Sequence, residues 1–129
     1  MPKQKILIAD DSKAMQLFYA KEIPDAIYEK QIVADGELAL RAYENLKPDI
    51  ILLDLNMPLV NGYEVLKAIR TKHQDHRTTI IMITSASDKD DVVACAKLGI
   101  QGYIIKPFKP EELNQAIIKY HRANLQSRG

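Results

Sequence analysis

Six positions in this 129-residue chain carry groups suited to chemistry on an anionic ligand. Asp10 and Asp11 follow the apolar run Ile6-Leu7-Ile8-Ala9, and Asp54 follows Ile50-Ile51-Leu52-Leu53. Thr84 and Ser85 follow Ile80-Ile81-Met82-Ile83, and Lys106 follows Tyr103-Ile104-Ile105. Each polar group stands directly behind an apolar run. A carboxylate can attack phosphorus covalently. Three carboxylates in one crevice repel and raise one another's pKa unless a cation joins them. A hard divalent cation with oxygen ligands resolves the repulsion, and Mg²⁺ suits a few carboxylates plus a phosphate. Three carboxylates, one Mg²⁺ and the Lys106 ammonium then sum to zero. A hydroxyl and an ammonium are also donors that can stabilise phosphoryl oxygens during transfer.

The elements that must position these groups are legible in the hydrophobic period. The four apolar runs read as strands buried on both faces, as in a parallel sheet. The more polar stretch Tyr28 to Val33 reads as an edge strand. Between them the period changes to that of helices. Ala39, Ala42, Tyr43 and Leu46 lie at i, i+3, i+4, i+7, as do Gly62, Val65, Leu66 and Ile69. Val92, Cys95, Ala96 and Gly99 repeat the pattern, and so do Leu113, Ala116, Ile117 and Tyr120. A looser set, Met15, Phe18, Tyr19 and Ile23, marks the first helix. Asn61-x-x-Glu64 and Ser87-x-x-Asp90 have the form of capping boxes, and Pro110 suits a first helical position. Gly99 and Gly102 suit a helix end and the turn into the last strand.

Five βα units in succession imply an α/β domain with a parallel sheet and helices on both faces. In the doubly wound order 2-1-3-4-5, strands one and three are neighbours. Ligands bind such sheets at the carboxyl ends of the strands, where the order reverses. Asp10, Asp11 and Asp54 would converge there.

Composition bounds the alternatives. Lys plus Arg is 18 against 17 Asp plus Glu, a formal net charge of +1, which argues against a domain dominated by nucleic-acid phosphate contacts. No apolar run approaches the ~20 residues that span a bilayer, and the N-terminal region has no secretory core. Cys95 is the single cysteine, which excludes an internal disulfide and a Cys-cluster zinc site and points to a reducing cytoplasm. The length suits one domain over residues 1–129, with 123–129 read as a short polar tail.

The motifs Ile-Ala-Asp10-Asp11-Ser12, Leu-Leu-Asp54-Leu-Asn56-Met57-Pro58, Gly62-Tyr-Glu64, Ile-Thr84-Ser85-Ala86 and Gly102-Tyr-Ile-Ile-Lys106-Pro107-Phe108 together resemble the receiver domains of two-component response regulators, including the chemotaxis type. The resemblance spans Lys5 to about Tyr120. It implies a flavodoxin-like sheet and a phosphorylation switch, not a multiple-turnover enzyme. Asp54 would be the phosphoacceptor. Asp11, Asp54 and the Asn56 carbonyl would bind Mg²⁺ directly, with Asp10 acting through a metal-bound water. Thr84 and Lys106 would contact phosphoryl oxygens, and Tyr103 would change rotamer with the state of the site. The Lys106-Pro107 peptide would be cis. The implied partners are a histidine kinase or histidine phosphotransfer protein and a downstream target or output domain. No membrane contact is implied.

The chain departs from many relatives at Asn61 and Gln16, and small Ala86 cannot position a water. Taken singly, the same residues admit blander roles. Asp10, Asp11 and Ser12 could cap a helix; Tyr103 could be half-buried packing; His73, Asp75 and His76 read as a solvated loop, and Cys95 as an inert core residue. An aspartate-nucleophile phosphatase would need Asp-x-Asp-x-Thr after the first strand. A flavin carrier would need a Ser/Thr-rich phosphate loop where Asp10-Asp11 stands. A degenerate scaffold would not retain Asp10, Asp11, Asp54, Thr84 and Lys106 together.

Overall fold

In a computed structural model describing residues 2–128, the chain alternates strand and helix throughout. The order is β1 (Gln4–Ala9), α1 (Lys13–Glu22), β2 (Tyr28–Val33), α2 (Gly36–Leu46), β3 (Ile50–Asp54), α3 (Gly62–Lys67), β4 (Thr79–Thr84), α4 (Lys89–Leu98), β5 (Gly102–Ile105) and α5 (Pro110–Ser127). The five strands form one parallel sheet in the order β2-β1-β3-β4-β5.

Strand alternation divides the core into two layers. Leu7, Ala9, Ile51, Leu53, Ile80 and Met82 face α2, α3 and α4. Ile6, Ile8, Ile50, Leu52, Ile81 and Ile83 face α1 and α5. The central strands are therefore covered on both faces, which is why they read as continuous apolar runs. β2 lies at an edge, as its polarity indicates.

The helix starts follow the sequence with one exception. Ser12 caps α1 by accepting the Met15 N–H, and Asn61 caps α3 by accepting from Glu64. Asp35 caps α2 through the Leu38 N–H. The box expected at Ser87-x-x-Asp90 does not form. Asp88 is the N-cap of α4, and its carboxylate turns back to Ser85. The Ser87 hydroxyl pairs instead with the Ser85 hydroxyl at 2.9 Å.

Four further expectations change. Ala96, on the expected buried face of α4, is exposed, and Cys95 is the residue of that helix buried completely. Residues 123–127 are the last turns of α5, not a tail. Asn124 there is buried and donates to the Arg77 carbonyl and the Thr79 hydroxyl, so a polar residue continues the buried stripe. Asp75 is no solvated loop residue. It accepts from the Tyr43 hydroxyl at 2.6 Å, from the Thr78 hydroxyl at 2.5 Å, and from the Arg77 and Thr78 N–H groups. α3 also runs on into a π-helical turn, Ala68–Lys72, which the apolar spacing did not distinguish from α-helix.

Candidate functional site

The carboxyl ends of β1 and β3 meet at the point where the strand order reverses. Asp10 leaves β1 with its N–H bonded to the Val33 carbonyl, and Leu55 continues β3 by bonding the Ile83 carbonyl. Gly62 lets α3 start hard against this rim, because a Cβ there would run into the Asp54 backbone carbonyl. Lys106 is held by its N–H to the Thr84 carbonyl at 2.7 Å, and the Lys106-Pro107 peptide is cis.

These backbone anchors bring the three acids together. One carboxylate oxygen from each of Asp10, Asp11 and Asp54 lies within 4.8 Å of the others. Asp10 is completely buried and Asp54 is 6% exposed, whereas Asp11 is exposed. Lys106 places its ammonium 3.0 Å from Asp10 Oδ2 and 3.6 Å from Asp54 Oδ2. One cation against three carboxylates leaves a surplus of negative charge. The Asp54 carboxyl is accordingly pushed up to about 6, by burial first and by the Asp10 charge second. Lys106 and the Asn56 N–H oppose the shift, and Asp11 adds to it.

Thr84 is buried beside this cluster, its hydroxyl 3.5 Å from the Ile104 carbonyl, a contact at the limit of a hydrogen bond. Thr84 also lines a cavity of about 380 Å³ with Ala86, Lys89, Val92, Tyr103 and Ile105. Tyr103 is 45% exposed at the edge of that cavity, so its ring is neither packed in nor free of the protein. Asn56 donates its backbone N–H to Asp54 Oδ1 and its side-chain amide to Asp88. The structure thus gathers Asp10, Asp11, Asp54, Asn56, Thr84 and Lys106 at one rim, with Tyr103 across the cavity.

Sequence reasoning missed two neighbours. Tyr19, read as core, donates its hydroxyl to Asp10 Oδ2 at 3.2 Å. Burial and the Asp10 charge push that phenol well above its usual range, so it stays a donor. Its place on the inner face of α1 is legible, but its reach to Asp10 is not. Asp88 is the second. Three donors converge on it, chiefly the Ser85 N–H, and hold its carboxyl below the usual range. Among the described residues, no helix is long and apolar enough to cross a membrane.

Known proteins share this fold. The receiver domain of the sensor histidine kinase PA1611 from Pseudomonas aeruginosa PAO1, solved with a magnesium ion coordinated in its active site cleft, superposes with a TM-score of 0.81 at 30% identity over 93% of this chain and 98% of that one. The chemotaxis response regulator CheY4 of Vibrio cholerae gives a TM-score of 0.84 at 32% identity over 92% of this chain and 99% of that one. In sequence, the DNA-binding response regulator MtrA of Mycobacterium tuberculosis (strain ATCC 25618 / H37Rv) is 36% identical over 111 residues, 86% of this chain and 47% of that protein. The chain spans about half the length of the curated relatives it matches. Residues 6–118 match the model of the response regulator receiver domain. With that match laid over a sheet whose rim gathers the acids, the threonine and the lysine, the chain belongs to the receiver domains of two-component response regulators.

Proposed function

We propose that this receiver takes a phosphoryl group onto Asp54 from a phosphohistidine of a histidine kinase or histidine phosphotransfer protein, and passes the change to a partner protein through the face formed by α4, β5 and α5. The observation that carries the reading is Lys106, whose ammonium stands between buried Asp10 and Asp54 while one oxygen of each acid lies within 4.8 Å of the other two. That donor set is all oxygen and carries excess negative charge, which fits a hard divalent cation. Asp11, Asp54 and the Asn56 carbonyl would hold Mg²⁺, with Asp10 acting through a bound water. Mg²⁺, when bound, neutralises charge on the phosphoryl oxygens.

In the transfer, an Asp54 oxygen bonds to phosphorus as the phosphorus–nitrogen bond of the donor breaks, and the imidazole leaves with the electron pair. Lys106 stabilises an equatorial oxygen, and Thr84 turns its hydroxyl from the Ile104 carbonyl toward another. Its contact of 3.5 Å costs little to break. That turn leaves space beside Tyr103, which can swing inward from its half-exposed position. A partner that prefers one arrangement shifts the population toward it. Aspartyl phosphate formation changes the local charge by roughly one unit, enough to couple the two. The domain acts in the cytoplasm and makes no nucleic-acid contact of its own in this reading, consistent with a net charge of +1.

Incubation with acetyl phosphate and Mg²⁺, followed by intact mass, tests the proposal. One phosphoryl should be gained by the wild type and none by Asp54→Asn or by the wild type in excess chelator. A phosphoryl on Asp54→Asn would overturn the assignment. Asp11→Ala should lose Mg²⁺ binding in a titration, and wild-type binding by that variant would show the ligand set to be wrong.

A further inference from the structure

The loop between β4 and α4 is tied to the loop after β3 through a single carboxylate oxygen. Asp88 Oδ2 accepts the Ser85 N–H at 2.8 Å, the Ser85 hydroxyl at 2.9 Å and the Asn56 side-chain amide at 3.3 Å. The Asp88 N–H closes the ring by donating to the Ser85 carbonyl at 3.1 Å. Asn56 meanwhile gives its backbone N–H to Asp54 Oδ1 at 3.4 Å. One residue therefore contacts the phosphoacceptor with its main chain and Asp88 with its side chain. Ser85, directly after Thr84, is held by the same oxygen.

We propose that Asp88 is a positioning residue that sets the lifetime of the phosphoryl group on Asp54 by holding the Asn56 amide away from it. The inference rests on the phosphoacceptor reading and adds to it a residue that touches neither phosphoryl nor metal. In hydrolysis, a water oxygen bonds to phosphorus as the bond from phosphorus to the Asp54 oxygen breaks. The products are the Asp54 carboxylate, inorganic phosphate and a proton. With its amide on Asp88, Asn56 leaves that approach open. Released, the amide can donate to a phosphoryl oxygen and cover the approach, because its main chain already lies against Asp54. The phosphoryl anion and the Asp88 carboxylate compete for the same donors, and the carboxylate holds them first. A hydrogen bond to a charged acceptor is strong enough for this to register as a rate.

The test follows decay of phosphorylated protein by intact mass after removal of acetyl phosphate, for the wild type, Asp88→Ala, Asp88→Asn, Asn56→Ala and the Asn56→Ala/Asp88→Ala pair. Asp88→Ala should lengthen the half-life by about 5-fold, from the loss of one charge-assisted hydrogen bond. Asp88→Asn keeps the shape and an acceptor oxygen, tests the tether without emptying the loop, and should fall between. In the double variant the effect of Asp88→Ala should vanish, leaving the half-life of Asn56→Ala alone. Wild-type decay in both Asp88 variants overturns the inference. So does an equal lengthening with and without Asn56, since a general loosening of the loop would act in both backgrounds. If the wild type never acquires a phosphoryl on Asp54, the phosphoacceptor reading fails and this inference fails with it.

Discussion

The two ends of the sheet handle buried charge in opposite ways. At the amino ends of the strands, Arg70 is 3% exposed yet bonded to the carbonyls of Gly99, Asp75 and Thr78 and to the Gln101 side chain. Asp75, His121 and Asn124 are similarly engaged, and no buried side-chain polar atom among the described residues lacks a partner. Donors and acceptors match there, and the network ties α3, α4, β4 and α5 together. At the carboxyl ends, three carboxylates share one lysine, and burial together with the Asp10 charge pushes the Asp54 carboxyl up to about 6. A satisfied buried network stabilises, whereas a charge surplus destabilises until a ligand arrives. The first end holds the fold; the second is ready for a cation and a phosphoryl group.

That contrast can be broken most strongly at Arg70. Arg70→Ala leaves three carbonyls without their buried donor and should lower stability by about 3 kcal/mol or more in urea titration. Phosphorylation per folded molecule should be unchanged, because no atom of Arg70 reaches the acid cluster. A cost below about 1 kcal/mol would mean that water replaces the guanidinium without penalty.

Asp54→Asn should act with the opposite sign. The folded pKa of about 6 exceeds the ordinary 3.8, so ionising Asp54 costs stability. The penalty is absent below 3.8, grows as pH rises, and is complete above about 6. In chelator at pH 7.5 the variant should therefore be more stable, by at most about 3 kcal/mol. At pH 4 the gain should disappear. Thermal midpoints of both proteins across that window check the sign, and an equal gain at both pH values would rule out charge as the cause.

His121 sharpens the comparison from the other end. Its Nδ1 lies 2.6 Å from the Thr79 hydroxyl, and burial holds its pKa below the usual value. Asp49 opposes that shift and Arg128 adds to it. A histidine with a lowered folded pKa contributes stability that is complete above its unfolded pKa of about 6.5 and is lost as pH falls below it. The two ends thus respond oppositely to acid in chelator. His121→Gln should flatten the loss on acidification while leaving the Asp54 effect intact. Histidine chemical shifts followed through the titration would show whether His121 is the group responsible.

The smallest effect is expected at Tyr19. Tyr19→Phe keeps the ring against Phe18 and removes one hydrogen bond to Asp10, so stability should fall by about 1 kcal/mol. Mg²⁺ affinity should weaken with it, because Asp10 would be held by Lys106 and the Ser12 N–H alone. Unchanged affinity would make Tyr19 a packing residue only.

The elements and the location of the site were legible in the chain itself. Runs such as Ile50-Ile51-Leu52-Leu53 can be satisfied only between two layers, and a residue directly after such a run must emerge at the rim of a parallel sheet. Asp10, Asp54, Thr84 and Lys106 were therefore placed by short-range pattern, and the motifs carried the family. Contacts that join residues far apart along the chain were not legible. The Asn56 bond to Asp88, the Tyr19 bond to Asp10, the four partners of Arg70 and the burial of His121 and Asn124 all depend on which helix packs where. Periodicity records whether a side chain faces inward, and for polar residues it fails even at that. Asn124 is buried because an acceptor waits for it on β4, and only the packed structure brings that acceptor within reach.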